Sequence, residues 1–194
     1  MRKLRAVFAL ILLALVAACA EEVGAPAADI ARARYVSDAA PFISVVSMVT
    51  KRNGRAAHSA LFINASEQVI YDPAGTFSHA EMPERGDVLY GANPRLLNYY
   101  ERYHARAAFY VHVQKIPVSA AVAETALRRV QAQGPSPKAF CTNHTTSVLQ
   151  GVPGFERIQT TFFPENLRQQ IAAMPNVQDR YLHENDTEKV VPEG

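Results

Sequence analysis

The chain has 194 residues, 20 basic and 18 acidic, for a formal charge of +2. An 18-residue leader, read below, takes three basic residues and no acidic one, leaving 176 residues at a formal charge of −1. That length carries one domain with its own core, and the charge excludes the basic footprint of a nucleic-acid binder.

Arg2, Lys3 and Arg5 precede the uncharged run "AVFALILLALVAA". This run is shorter than the ~20 apolar residues of a membrane span, so residues 1–18 are expected to be an export signal. Its end, "VAAC", resembles the lipobox of bacterial lipoproteins, in which the cysteine is lipid-modified. Cys19 would then be the anchor. Ala20, in place of the aspartate that retains lipoproteins at the inner membrane, points to the outer membrane, on its periplasmic face. Residues 19–38, including "EEVGAPAADIARAR", read as a tether. A single domain is expected over 39–185 and a tail over 186–194.

"PFISVVSMV" is apolar and β-branched, a first strand. Asn53-Gly54 turns the chain into "HSALFIN" and "QVIYD", a hairpin by length and composition. A Pro- and Gly-bearing loop, "PAGTFSHAEMPERGD", leads to a helix at "LLNYYERYHAR" and a strand at "AAFYVHVQKIPV". Ser119 caps an alanine-rich helix that ends before Gly134-Pro135, and Cys141 opens the next helix, which ends near Gly151. "FERIQTTFF" reads as a strand, Pro164 opens a last helix, and a polar tail follows. Short apolar runs with frequent turns imply an α+β fold with a mostly antiparallel sheet.

With Cys19 acylated, Cys141 is the only thiol of an exported chain, where cysteines otherwise pair. A helix N-terminus and a nearby imidazolium both favour its thiolate. His58 leads a strand whose edge can face the start of that helix, and catalytic pairs meet in space rather than in sequence. If Ile63 pairs with Val69, Ala60 faces Asp72, which sets His58 and Asp72 diagonally on one face. A one-residue slip would remove Asp72.

"HSALFI…QVIYDPAG" and "FCTNHTTSVLQGVPGF" resemble the circularly permuted branch of the NlpC-type papain-like hydrolases. The histidine hairpin precedes the nucleophile helix there, as in the lecithin:retinol acyltransferase-like proteins and the Lnb-type lipoprotein transacylases. The resemblance spans roughly residues 55–155. It implies a papain-like sheet packed on the nucleophile helix, with Cys141 as nucleophile, His58 as base and Asp72 as orienting group. Relatives often carry asparagine before the cysteine, where this chain has Phe140.

The implied reaction is attack by the Cys141 thiolate on an acyl carbon, with His58 as base and then acid and the helix amides as oxyanion hole. No cofactor is required. The acyl group would come from a peptide amide, such as a peptidoglycan stem peptide, or from a lipid. A non-catalytic binding lipoprotein is the alternative of another class. A metal site at Cys141 and His144, with His79, His104 or His112, is not expected, since HExxH and paired CxxC motifs are absent. His144 and Tyr71 are expected to line the cleft, His112 to be solvated, and Tyr99, Tyr100 and Tyr103 to pack the core.

Overall fold

A computed structural model describes residues 24–185. The export signal, Cys19 and the tail 186–194 lie outside these residues. The chain forms an α+β fold around one seven-stranded sheet, antiparallel throughout, in the order β4-β5-β3-β2-β1-β6-β7. The strands are β1 (Phe42–Thr50), β2 (Ala56–Asn64), β3 (Gln68–Tyr71), β4 (Glu84–Arg85), β5 (Val88–Leu89), β6 (Phe109–Pro117) and β7 (Gln178–Leu182). The helices are α1 (Ala27–Ala33), α2 (Pro94–His104), α3 (Ala120–Gln133), α4 (Cys141–Gln150) and α5 (Pro164–Ala172).

Both faces of the sheet are covered, which is why β1 is buried at every position but Thr50. Ile43, Val45, Leu61, Ile63 and Val69 point to one face and pack with α3, α4 and α5 through Leu127, Val148, Leu149 and Leu167. The alternate residues Val46, Met48, Ala60, Phe62 and Ile70 point to the other, where α2 contributes Leu96 and Tyr100. Phe77 inserts its ring among Tyr99, Tyr100 and Tyr103, so the tyrosines of α2 are packing residues. Two helices carry the caps their sequences offer. Asn93 accepts from the Leu96 amide at 3.0 Å ahead of Pro94, and Ser119 accepts from the Val122 amide at 3.4 Å. Among the described residues no helix is long and apolar enough to cross a membrane.

Four expectations are corrected. "FERIQTTFF" is not a strand. Phe155 and Ile158 are buried three residues apart, each closing a turn through its amide, to Val152 O at 3.0 Å and Phe155 O at 2.9 Å. Side chains of the flanking helices take two further amides: Gln170 accepts from the Gln159 amide at 2.7 Å, and Thr146 from that of Thr161 at 3.3 Å. The segment after α5 is not all tail, because β7 pairs with β6 along its outer edge. The tether is bonded to the domain from Gly24 onward. Ala25 and Glu84 share a backbone hydrogen bond of 2.7 Å, Arg85 donates to Ala25 O, and Tyr35 O accepts from the Gln68 amide at 2.9 Å. His112 is buried instead of solvated. It bonds Asp179 at 2.7 Å and stacks on Tyr181, both supplied by the unforeseen β7.

Candidate active site

The hairpin register is Ile63↔Val69 and Leu61↔Tyr71, where the β2–β3 ladder stops. β2 itself begins five residues earlier, at Ala56. Its lower edge, around His58 and Ser59, is therefore left without a strand partner on the β3 side. The first turn of α4 takes that place, with Thr142 Oγ1 3.0 Å from Ser59 Oγ and 3.6 Å from the sulfur of Cys141. By alternation His58 belongs to the α2 face of the sheet, while α4 lies on the other. They meet because the sheet ends between them.

Cys141 is the first residue of α4, so its sulfur lies at the end where the amides have no intrahelical acceptor. The helix itself is polar but buried. Thr145 and Thr146 return their hydroxyls to the carbonyls of Cys141 and Thr142, both at 2.8 Å. His58 and Cys141 lie close enough for their charges to interact, and Nε2 of His58 lies 2.6 Å from Asp72 Oδ1. With Nε2 held by the carboxylate, Nδ1 is the nitrogen left for the thiol. Asp72 lies immediately after β3, fixed by its amide donating to Asp87 O at 2.8 Å. The structure thus brings the three sequence-predicted residues into one chain of contacts.

The electrostatics follow from these contacts. Burial alone lowers the pKa of His58, but hydrogen bonds and charge from Asp72 and Cys141 push it up to about 10. Burial alone raises the thiol of Cys141. The His58 imidazole, with smaller help from Thr142 and the Ser59 amide, brings it below its ordinary value. Both shifts favour the thiolate–imidazolium pair, which titrates as a unit.

Several residues of this site were not foreseen. Asp87, in a left-handed backbone conformation (φ 66°), accepts from the amides of Ser136 at 2.6 Å and Ala74 at 3.2 Å. It ties the loop before Cys141 to the loop after Asp72, and the Gly86-Asp87 pair is the one sequence signal it left. Buried Glu165 accepts from the Ala56 amide at 2.9 Å, holding the start of β2 beside a register irregularity at Met48/Val49. His58 also opens on a cavity of about 420 Å³ that is lined in part by Tyr103, His104 and Arg106.

Neither residue expected in the cleft is among those lining the cavity beside His58. His144 is half-buried on α4, with its Nδ1 buried and without a hydrogen-bond partner among the described residues. Tyr71 is fully buried in the core on the α3–α5 face and so cannot line an open cleft. Burial and the charge of Asp87 raise its hydroxyl well above the usual range. Among the described residues no three His, Cys, Asp or Glu side chains are grouped to hold a metal. No protein-family model, curated protein or solved structure matches the chain.

Proposed function

We propose that this protein is a cysteine acyl-transfer hydrolase of the cell envelope, with a permuted papain-like arrangement, anchored through Cys19 and acting on a peptide amide such as a peptidoglycan stem peptide. The observation that carries the reading is the contact chain Cys141–His58–Asp72, with Nε2 of His58 2.6 Å from the carboxylate. The Cys141 sulfur attacks the carbonyl carbon, and the oxyanion is received by amides at the start of α4. As the C–N bond breaks, the imidazolium of His58 gives its proton to the leaving nitrogen, and a thioester remains. Water then attacks the thioester and yields a proton to His58, and the C–S bond breaks to regenerate the thiolate. Asp72 holds the ring and balances its charge throughout.

A second reading, transfer of a lipid acyl group, is favoured by one observation. Phe140 precedes the nucleophile and packs edge-on against Phe162, 5.1 Å between centroids, and both rings are exposed, as is Phe163. An acyl chain could lie on such a surface. The binding-module alternative is disfavoured by the engagement of the thiol with an imidazole.

The test is acid quenching of the full chain after mixing with a stem peptide or with a diacyl phospholipid, followed by mass analysis of Cys141. A peptidyl adduct on Cys141 of the native protein, absent from Cys141→Ala, is expected. An adduct from phospholipid alone selects the second reading. A Cys141 that neither forms an adduct nor reacts with iodoacetamide until the protein unfolds would make the chain a binding protein.

A further inference from the structure

The cavity on which His58 opens has a charged wall that the reaction above leaves unused. Arg106 follows α2 by two residues and is half-buried there. Its Nε donates to Tyr103 O at 2.8 Å, and its guanidinium carbon lies 4.5 Å over the Tyr103 ring. These contacts fix the side chain without neutralising it. Among the described residues no carboxylate pairs with it, although Arg102, Arg168 and Arg180 all have one. A guanidinium presented by an aromatic ring in a partly apolar cavity is a ready partner for a carboxylate or phosphate.

The position of the cavity says which part of a substrate reaches it. His58 must hand its proton to the leaving atom, which therefore lies within hydrogen-bond reach of the imidazole. His58 is shared between the thiol and this cavity, whose volume of about 420 Å³ accommodates a residue or a small headgroup bonded to that atom. His104 adds a second polar feature. Its Nδ1 donates to Tyr100 O at 2.8 Å, which leaves Nε2 as an acceptor. Burial holds this ring below its ordinary pKa, so that it stays neutral.

We propose that Arg106 is an anion subsite for the leaving group, taking a carboxylate or phosphate carried beyond the atom that His58 protonates. This rests on the reading of Cys141 and His58 as nucleophile and acid–base. The substrate class is thereby narrowed to acyl donors with an anionic leaving portion. A peptide would end in a free carboxylate shortly after the scissile amide, and a lipid would be a phospholipid rather than a neutral glyceride.

Two measurements on the full chain test this. In the first, N-acetylglycine and glycerol 3-phosphate are titrated against the imidazole resonances of His58 and His104. Saturable shifts are expected in the native protein, weaker binding in Arg106→Lys and none in Arg106→Gln; the preferred anion identifies its source. In the second, kcat/KM is compared for peptides whose leaving portion ends in carboxylate or carboxamide, and for phosphatidylglycerol against diacylglycerol. The anionic member of the accepted pair should be favoured about 10–100-fold, and Arg106→Gln should bring that ratio close to one. Absence of anion-induced shifts in the native protein, or equal turnover of charged and neutral pairs, overturns the subsite and leaves the Cys141 reading intact. Anion binding that depends on Arg106 in a protein forming no acyl adduct supports the subsite and rejects the hydrolase.

Discussion

Thr142 Oγ1 lies 3.0 Å from Ser59 Oγ and 3.6 Å from the sulfur of Cys141. In a longer hairpin the edge of β2 at Ser59 would be covered by the ladder, but β3 ends at Tyr71 and leaves it open to α4. One strand edge therefore sets both partners. His58 is carried by β2, and the residue after it reaches the thiol through the Thr142 hydroxyl.

The thiol should ionise below the ~8.5 of a free cysteine, because the His58 contribution outweighs burial. Iodoacetamide labelling of the native protein should thus saturate at lower pH than labelling of the unfolded chain. His58→Ala removes the main stabiliser of the thiolate and leaves burial opposed only by Thr142 and the Ser59 amide. Its midpoint should move upward, past that of the native protein. An unchanged midpoint would dissociate the imidazole from the thiol.

Asp72→Asn should keep the thiol in place and lower kcat by about 10²–10⁴-fold, the range for a residue that orients an acid–base imidazole. The pH dependence should change with it. His58 owes its high pKa first to Asp72 among the groups that raise it. Without that carboxylate the imidazolium should lose its proton at lower pH, narrowing the alkaline limb of the rate profile. A profile that keeps its width while kcat falls would give Asp72 a structural role only.

Asp87→Ala should cost about 1–2 kcal/mol in urea unfolding. The loss is of the two amide bonds it accepts and of a left-handed conformation that alanine adopts poorly. The activity loss should exceed what the unfolded fraction explains, since the loops before Cys141 and after Asp72 are released together. Asp87→Asn, which tolerates the same φ and keeps an acceptor oxygen, should recover most of the stability.

What the sequence made legible was whatever its local patterns dictate. β-Branched apolar composition and the Asn53-Gly54 turn marked β1, length and composition marked the hairpin, and a single assumed pairing of Ile63 with Val69 placed Asp72 diagonal to His58. Ser119 and Gly134 bounded α3, and Cys141 was read as a helix start although no side chain caps that helix. The elements that escaped are defined by distant partners. β7, "QDRYL", is an exposed edge strand with too little apolar character to be told from a tail. Its absence from the reading also left His112 seemingly solvated, because Asp179 and Tyr181 are what bury it. "FERIQTTFF" misled in the opposite sense: Phe155 and Ile158 are buried by turns, Phe162 and Phe163 are exposed, and the amides of Gln159 and Thr161 bond to glutamine and threonine side chains of α5 and α4. Ser59 and Arg106 matter through where the ladder stops and what the cavity borders, which no spacing rule encodes.

His112 should make the β6–β7 edge acid-sensitive. Burial holds its pKa below the ordinary 6.5, against the pull of Asp179. The unfolded chain therefore binds the proton at higher pH than the folded one does. The stability contribution is whole above about 6.5 and declines as pH falls through the folded value. Amide exchange across residues 178–182 should accelerate between pH 7.5 and 5.5. His112→Phe keeps a ring to stack on Tyr181 and should flatten that pH dependence; an equally steep response would place the titrating group elsewhere.

Gly75 offers the most local test of the His58–Asp72 bond. A Cβ built there would lie 2.2 Å from Asp72 Oδ2 and 2.3 Å from its carboxyl carbon, well inside contact distance. Asp72 has a short side chain with a buried environment, so it cannot yield without leaving Nε2 of His58. Gly75 has no positive φ, and alanine therefore brings no backbone strain of that kind. Gly75→Ala should lower the urea midpoint, since it displaces a buried carboxylate. It should also lower kcat beyond what the unfolded fraction explains and shift the alkaline limb in the same direction as Asp72→Asn. Combining the two substitutions should cost little more than Asp72→Asn alone, because both act on one bond. Additive losses would mean that Gly75 affects the cavity rather than the carboxylate.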